Sequence, residues 1–315
     1  MLIINYHSVR LSVIDALMIC GNSIIPSLFP ISFLSTLLVS SGAISSVSSK
    51  ISIYILFGVS QASGYPVGSI LLNNAVKENL INKNNAERIL PALICAGPSF
   101  IISFVGEQIL GNITVGIYLY ISQILANMIV FIILKNCDTK IKKTNSFNVI
   151  SVFSEAVKSS ASSVMTVCTY IVLFFALKPI IADFLGNQIS EYIIYFCEVS
   201  SGVLTSKNFY ITCCILAWGG LCVMLQIKGV SSYIKISFGR IIKWRFLCVI
   251  ISCIILKALV TVFPVKREVF SNITEKPILS FGGSIGFVIV FIFSVFVFLM
   301  SFKKRTEGKL LNDIL

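Results

Sequence analysis

Long apolar runs separated by short polar stretches make up most of this chain. Nine apolar segments can be drawn, at 11–41, 51–71, 88–110, 112–134, 161–183, 188–203, 208–227, 246–264 and 281–302. Runs such as 112–134 and 281–302 are long enough to cross a bilayer as a helix, which takes about 20 residues. The pattern predicts an all-α polytopic membrane protein.

Two of these segments are short or interrupted. The segment 51–71 contains Ser63–Gly68, read Ser-Gly-Tyr-Pro-Val-Gly, and the segment 188–203 contains Ser200–Gly202. Glycine and proline interrupt helices, and irregular backbone at membrane depth is tolerated only where protein or a water-filled cavity covers it. We interpret both segments as re-entrant hairpins with broken helices, the usual pointer to a transporter's binding site.

Composition and charge support a membrane protein. The chain has 315 residues, of which 56% are hydrophobic and only 12% charged, with a net charge of +12. A soluble domain is about one quarter charged. The basic residues crowd three regions between apolar segments: Lys135, Lys140, Lys142 and Lys143; Lys228, Lys235, Arg240, Lys243 and Arg245; and Lys303, Lys304, Arg305 and Lys309.

This distribution is typical of the positive-inside rule rather than of nucleic-acid binding. With the three basic regions placed in the cytoplasm, the segments form seven crossings and two hairpins. Segments one to four then match segments five to eight in order but run in the opposite direction. This predicts a first Gate-like repeat at 1–135, a basic linker with an amphipathic helix at 136–160, a second repeat at 161–265, and an extra C-terminal helix with a basic tail at 266–315.

An inverted repeat places its substrate near the midplane, between the two halves. Four breaks would converge there, because Ala62–Gly64 resembles Ser200–Gly202 and Gly97–Pro98 corresponds to Gly219–Gly220. Half-helix N-termini can bind a carboxylate without any lysine. The predicted substrate-binding residues are Ser63, Gly64, Tyr65, Gly68, Gly97, Ser99, Glu198, Ser200, Ser201, Gly202, Gly219, Gly220 and Gln226.

Each candidate also has a structural interpretation. Glycine and serine let helices approach closely. Glu198 could carry a proton, bind a cation, hydrogen-bond a substrate, or cap the broken helix, and the sequence leaves these roles open. The chain has one histidine, His7, and neither a phosphate-binding loop nor a Ser-His pair. We therefore expect no enzyme activity, no cofactor and no metal.

Several of these residues together resemble the sporulation integral membrane protein family YlbJ/SpoVV, which carries paired nucleoside-recognition (Gate) domains. The resemblance rests on five blocks in the expected order: Pro26–Pro30, Ser63–Gly68, Asn85–Arg88 leading to Ala96–Phe100, Glu198–Gly202 and Gly219–Gln226. It implies a Gate-type helical bundle and a role in endospore formation. The Ile-, Lys- and Asn-rich composition is also typical of a bacterium with an AT-rich genome.

The resemblance further implies transport of dipicolinic acid, a small aromatic dianion, across the outer forespore membrane. The sequence departs from the family at Met224, where a histidine is expected, and at Cys95–Gly97, where a Thr/Asn-rich turn is expected. The alternatives are a transporter of nucleosides or another neutral solute, and a non-transporting sporulation scaffold. The expected partners are the lipid bilayer and a small anionic solute but not nucleic acid, and homo-oligomerisation is left open.

Overall fold

The structure of the protein, a computed structural model, describes residues 6–40, 49–135, 149–206 and 208–264. Within these ranges all regular secondary structure is helical. The predicted helix at 281–302, the basic tail and residues 136–148 of the predicted linker lie outside the described residues.

In the described part of the first half there are six α-helices, with shorter helical segments of other types between them. Helices α1 and α2 are joined by a π-helical segment, and α5 continues into a 3₁₀ turn, with a second π-helix before α6. Their bounds are α1 Tyr6–Ile19, π Cys20–Ile24, α2 Ile25–Ser40, α3 Ser49–Ser63, α4 Val67–Lys77, α5 Lys83–Ile89, 3₁₀ Leu90–Leu93, π Ser99–Ile109 and α6 Ile113–Leu134.

The second half has five α-helices within the ranges that the structure describes. Helix α7 is kinked at Gly186, so that its last turns form a separate arm. The bounds are α7 Val149–Cys197, α8 Val199–Thr205, α9 Phe209–Trp218, α10 Gly220–Val230 and α11 Phe238–Val262.

Among the described residues, four helical stretches are long and apolar enough to cross a membrane: Ile113–Leu134, Val152–Gly186, Phe209–Val230 and Phe238–Val262. The 22 residues of Ile113–Leu134 rise about 33 Å, which matches a hydrocarbon core about 30 Å thick. The chain is therefore an integral, multi-pass membrane protein in contact with lipid.

Asparagine side chains cap the N-termini of three described helices. Asn112 accepts hydrogen bonds from Thr114 N at 2.9 Å and Val115 N at 3.3 Å at the start of α6. Asn208 does the same for α9, and Asn82 accepts one bond at the start of α5. The first N–H groups of a helix have no partner within it, and a side-chain oxygen at the N-cap satisfies them. These caps determine where the helices flanking the breaks begin.

The last predicted span of the second repeat begins earlier than expected. Helix α11 starts at Phe238 rather than at 246, so Arg240, Lys243 and Arg245 belong to a helix and not to a loop. Assigning Arg245 to an exposed basic loop was wrong, because its side chain is fully buried. It shares one helical face with the other buried residues of α11, which are Ile241, Cys248, Ser252 and Leu256. That face packs against α6 and α9.

Two hydrophobic cores organise the packing. The larger one joins apolar side chains from α3–α6 with side chains from α8–α11. The smaller one joins Ala16 of α1 and Cys20 to α7 at Val167, Ile171 and Phe175. Helices α1 and α2 therefore pack along α7, while the interrupted helices form the centre of the larger core.

Candidate functional site

The first two predicted breaks touch one another. Helix α3 ends at Ser63 and α4 begins at Val67, and residues 64–66 between them lie against the non-helical stretch 94–97. Gly64 has φ +81°, and a Cβ there would stand 2.7 Å from Gly97 N. Only glycine fits both this conformation and this approach.

Two more contacts extend this backbone-to-backbone junction. The Tyr65 N–H donates to Cys95 O at 2.6 Å. A Cβ on Gly68 would stand 2.5 Å from Leu93 O, so α4 passes directly over the 3₁₀ turn. The structure thus brings Ser63–Gly68 and Gly97 together, as the sequence predicts for the first half.

The second pair of breaks also meets. The arm of α7 ends at Cys197, Glu198 is extended, and α8 begins at Val199. Helix α10 begins at Gly220, whose φ is +73° and whose Cβ position lies 2.9 Å from Cys197 O. The predicted segments Glu198–Gly202 and Gly219–Gly220 are therefore neighbours.

Glu198 caps its own helix. Its two carboxylate oxygens accept hydrogen bonds from Ser200 N at 2.9 Å and from Ser201 N at 2.5 Å. The side chain is buried, as are Ser200, Ser201 and Gly202 of α8. Of the roles left open by the sequence, the geometry directly provides capping.

Arg245 links the two pairs of breaks. Its Nη1 donates to Ile94 O at 2.7 Å and to Asn127 Oδ1 at 3.0 Å, and its Nη2 donates to Ala217 O. Ile94 belongs to the first break pair, whereas Ala217 lies two residues before Gly219 at the end of α9. A cation at a helix C-terminus is favourable, because the last carbonyls carry partial negative charge.

Amide side chains satisfy the remaining irregular backbone. Asn127 Nδ2 donates to Gln61 Oε1 at 2.9 Å and to Ile94 O at 3.1 Å. Gln61 Nε2 donates to Ala92 O at 3.1 Å, and Gln123 Oε1 accepts from Ala96 N at 3.3 Å. Non-helical backbone in a membrane needs such partners, since no solvent can supply them. We call Gln61, Gln123, Asn127 and Arg245 the polar hub.

Three donor atoms around this segment have no partner. Arg245 Nε, Gln123 Nε2 and Tyr65 Oη are buried and make no hydrogen bond to any described residue. Arg245 and Gln123 are 0% and 1% exposed. Buried polar groups in native proteins are nearly always hydrogen-bonded, so three together need an explanation.

Two predicted residues lie apart from this hub in the hydrogen-bond pattern. Ser99 is half-buried at the start of the second π-helix. Gln226 is buried in α10 and donates to Cys222 Sγ at 3.2 Å. Neither is hydrogen-bonded to a member of the hub among the described contacts.

A crevice lies beside the first pair of breaks, between α2, α4 and α7. Its empty volume is about 160 Å³, and its lining includes Ser32, Pro66 and Ser163. The breaks themselves are in direct backbone contact, at Gly64 against Gly97 and at Gly220 against Cys197. A solute could bind between them only after they move apart.

The sequence prediction missed Arg245, Gln123 and Asn127. Arg245 was grouped with neighbouring loop cations, although its spacing to Cys248 and Ser252 places all three on one face of a helix. Gln123 and Asn127 stand four residues apart within a strongly apolar helix, which puts two amides on one face. Polar residues at helical spacing inside an apolar span were the available signal.

Within the described ranges, no group of three His, Cys, Asp or Glu side chains is arranged to hold a metal ion. Comparison of the chain with protein-family models, with curated proteins and with solved structures finds no match.

Proposed function

We propose that this protein is a membrane transporter of a small carboxylate, which binds where the helix breaks of the two halves meet. The observation that carries the proposal is the contact between four helix interruptions around buried Arg245. Continuous helices would suffice for an anchor, whereas broken helices at a buried polar centre are the usual design of a transporter site. The residue candidates Ser63–Gly68 and Glu198–Gly202 remain the proposed lining.

The order of elements supports an inverted repeat of the Gate type. Each half has two interrupted helical units followed by one uninterrupted helix. In the first half these are α3/α4, α5 with the second π-helix, and α6. In the second half they are the arm of α7 with α8, then α9/α10, and α11. Helices α6 and α11, the last of each half, pack against one another.

The position of the Asn127–Arg245 contact along each helix supports opposite directions for α6 and α11 across the membrane. Asn127 lies seven residues before the end of α6, and Arg245 lies seven residues after the start of α11. At 1.5 Å per residue, each is about 10 Å from its helix end. Since both helices are proposed to cross the same bilayer, this contact supports an antiparallel pair with Lys135 and Phe238 on the cytoplasmic side, as the charge pattern predicts.

Polar contacts also support a re-entrant hairpin at α3–α4. Near the start of α3, Tyr54 Oη accepts from Lys135 Nζ at 2.5 Å, at the end of α6. At the end of α4, Lys77 Nζ lies 2.5 Å from Glu155 Oε1, near the start of α7. Since the basic segment 136–148 joins these two helices, both ends of the hairpin are proposed to lie on the cytoplasmic side.

For the substrate we propose dipicolinate, as the family resemblance implies, moved across the outer forespore membrane during sporulation. The protein reconstituted in liposomes is expected to take up labelled dipicolinate with saturation, relative to protein-free liposomes. Unlabelled pyridine dicarboxylates should compete, and nucleosides should not. Competition by nucleosides alone would contradict a carboxylate substrate and indicate a neutral solute.

A second candidate is a non-transporting membrane scaffold, which the close packing of the breaks favours. Gly64 is in direct backbone contact with Gly97, and Gly220 with Cys197. A scaffold predicts that folded, reconstituted protein moves neither dipicolinate nor nucleosides. Locking the two halves together distinguishes the two functions. A disulfide between Ser122→Cys on α6 and Cys213 on α9, where Ser122 Oγ and Cys213 Sγ lie 4.0 Å apart, should stop a transporter and leave a scaffold unaffected.

A further inference from the structure

Arg245 is a buried cation without a bonded counter-ion. Its three hydrogen-bond partners are neutral oxygens, those of Ile94, Asn127 and Ala217. Among the described residues, the ion pairs are Lys77–Glu155 and Arg240–Glu87, and neither involves it. Burying an unpaired charge costs several kcal/mol. A cation held inside a membrane span is by default a candidate functional group.

The other buried charge near the breaks does not compensate Arg245 through a hydrogen bond. Both oxygens of Glu198 are occupied by the backbone of its own helix. Of the five N–H groups of the guanidinium, the one on Nε has no acceptor among the described residues.

The three residues with partnerless donors all bind one short piece of backbone through other atoms. Arg245 Nη1 donates to Ile94 O, the Tyr65 backbone N–H donates to Cys95 O, and Gln123 Oε1 accepts from Ala96 N. Residues 94, 95 and 96 are consecutive and non-helical. Three residues from separate elements, each with an unused donor, thus meet at the same break.

We infer that Arg245, Gln123 and Tyr65 form an anion subsite that binds one carboxylate of the substrate. The inference rests on the proposed carrier function for its choice of solute. A carboxylate offers two oxygens with about four acceptor positions, enough for the unused Nε–H, amide and phenol donors. Guanidinium–carboxylate pairs are planar and often bidentate, and such charge-assisted bonds are roughly twice as strong as neutral ones.

This subsite also explains how binding could release the closed packing. A carboxylate that binds the guanidinium side-on uses the parallel Nε–H and Nη2–H groups. Nη2 already donates to Ala217 O, at the end of α9. Nη2 has two N–H groups, so a side-on anion shares this nitrogen with the hydrogen bond that ties Arg245 to the second pair of breaks. Substrate binding weakens one link between the halves while the bonds to Ile94 and Asn127 remain.

The test is to measure binding and uptake separately on the full chain in detergent and in liposomes. The probes are pyridine-2,6-dicarboxylate and its uncharged diamide, and the variants are Arg245→Gln and Tyr65→Phe. We expect Arg245→Gln to weaken binding of the dianion at least tenfold and to remove most of the preference for dianion over diamide. Tyr65→Phe removes only a hydroxyl and should weaken dianion binding about fivefold to tenfold.

The matched control is Arg240→Gln, on the same helix but at a partly exposed ion pair with Glu87. It should leave both affinities unchanged. Thermal unfolding identifies variants that no longer fold. If Arg245→Gln is one of them, the dianion affinities of Tyr65→Phe and Gln123→Glu test the subsite instead. Gln123→Glu places a negative charge beside the anion and should weaken dianion binding more than diamide binding.

The outcomes separate the subsite from the carrier function. Unchanged dianion affinity in the folded variants, with uptake intact, would overturn the subsite and leave the carrier. Arg245-dependent binding without uptake would support the subsite and contradict the carrier. If the wild type binds neither pyridine-2,6-dicarboxylate nor pyridine-2-carboxylate, both proposals fail.

Discussion

The two break pairs differ in which groups hydrogen-bond to their non-helical backbone. In the first pair, the non-helical backbone at 94–97 is satisfied by side chains from distant helices, chiefly Gln123, Asn127 and Arg245. In the second pair most partners belong to the pair itself, and the hub contributes the bond from Arg245 to Ala217 O. Glu198 caps the helix that follows it, and Trp218 Nε1 donates to Phe196 O at 3.0 Å.

This difference assigns different tasks to the two pairs. A break held by distant side chains couples several helices, so its hydrogen bonds change when those helices move. It also leaves unused donors, which a ligand can satisfy. A break held by its own cap is self-contained and can move as a unit. We therefore expect the first pair of breaks to bind the solute and the second pair to move as a unit during transport.

The largest expected effect is at the backbone contact of the first pair. Gly64→Ala should destabilise the fold by about 3 kcal/mol or more, because it combines strain at positive φ with overpacking against Gly97. The control is Gly58→Ala in the preceding helix α3, where no atom lies within 4 Å of the Cβ position and a small stabilisation is expected. Thermal unfolding in detergent measures both, and equal melting temperatures would contradict the close contact.

Removing a hub amide tests how far the first pair depends on distant side chains. Asn127→Leu should cost about 2–3 kcal/mol, because it leaves buried groups of Gln61 and Arg245 without partners. Met128→Leu changes the neighbouring, exposed position of α6 and should be nearly neutral. If the two variants unfold at the same temperature, the amide network does not hold the break.

Substitutions in the second pair of breaks should lower stability less than those in the first pair. Glu198→Ala removes an N-cap with two backbone hydrogen bonds and should cost about 1–2 kcal/mol. Glu198→Gln keeps an acceptor oxygen and should cost less. Dipicolinate uptake is expected to persist in both variants at temperatures below unfolding. Lost uptake in a stable Glu198→Gln protein would instead make this carboxylate part of the binding or coupling machinery.

The smallest effect is expected at the edge of the bundle, far from both pairs. The hydrogen bond from Lys77 to Glu155 raises the pKa of the Lys77 ammonium above its usual value. Its contribution to stability is therefore complete below about pH 10 and is lost as the pH rises through the raised pKa.

Because both side chains are largely exposed, Lys77→Gln should lower stability at pH 7 by less than about 1 kcal/mol. The deficit should shrink in high salt and above about pH 11. Lys83→Gln, at another exposed lysine, is the control. A deficit that persists unchanged at high pH would exclude the ion pair as its cause.

Much of the fold could be predicted from local patterns. Apolar runs predicted spanning helices, and the glycine-proline block predicted the interruption after Ser63, because these signals act through the backbone of the residue itself. The predicted break at Ser200–Gly202 was slightly misplaced, because these residues are helical and the interruption lies at Glu198, just before them. The start of α11 was misplaced by eight residues, since Arg240, Lys243 and Arg245 suggested a loop although they occupy a helix.

The candidate site was less predictable. The glycines of both pairs were identified, but the side chains that hold the first pair were not, apart from Tyr65 as a candidate. Gln123, Asn127 and Arg245 come from two helices far apart in sequence. Their importance depends on which face of each helix points inward, and local composition does not specify the partner of a face.

The amino-acid sequence alone determined that this chain resides in a bilayer and where its helices are interrupted. Hydropathy, glycine and proline are local signals, because each affects the backbone at and next to its own position. Tertiary structure alone decided which breaks touch, that Glu198 caps rather than projects, and that one arginine lies buried between the halves. These are outcomes of packing between residues up to about 150 positions apart, such as Arg245 and Ile94, and packing is a property of the assembled bundle.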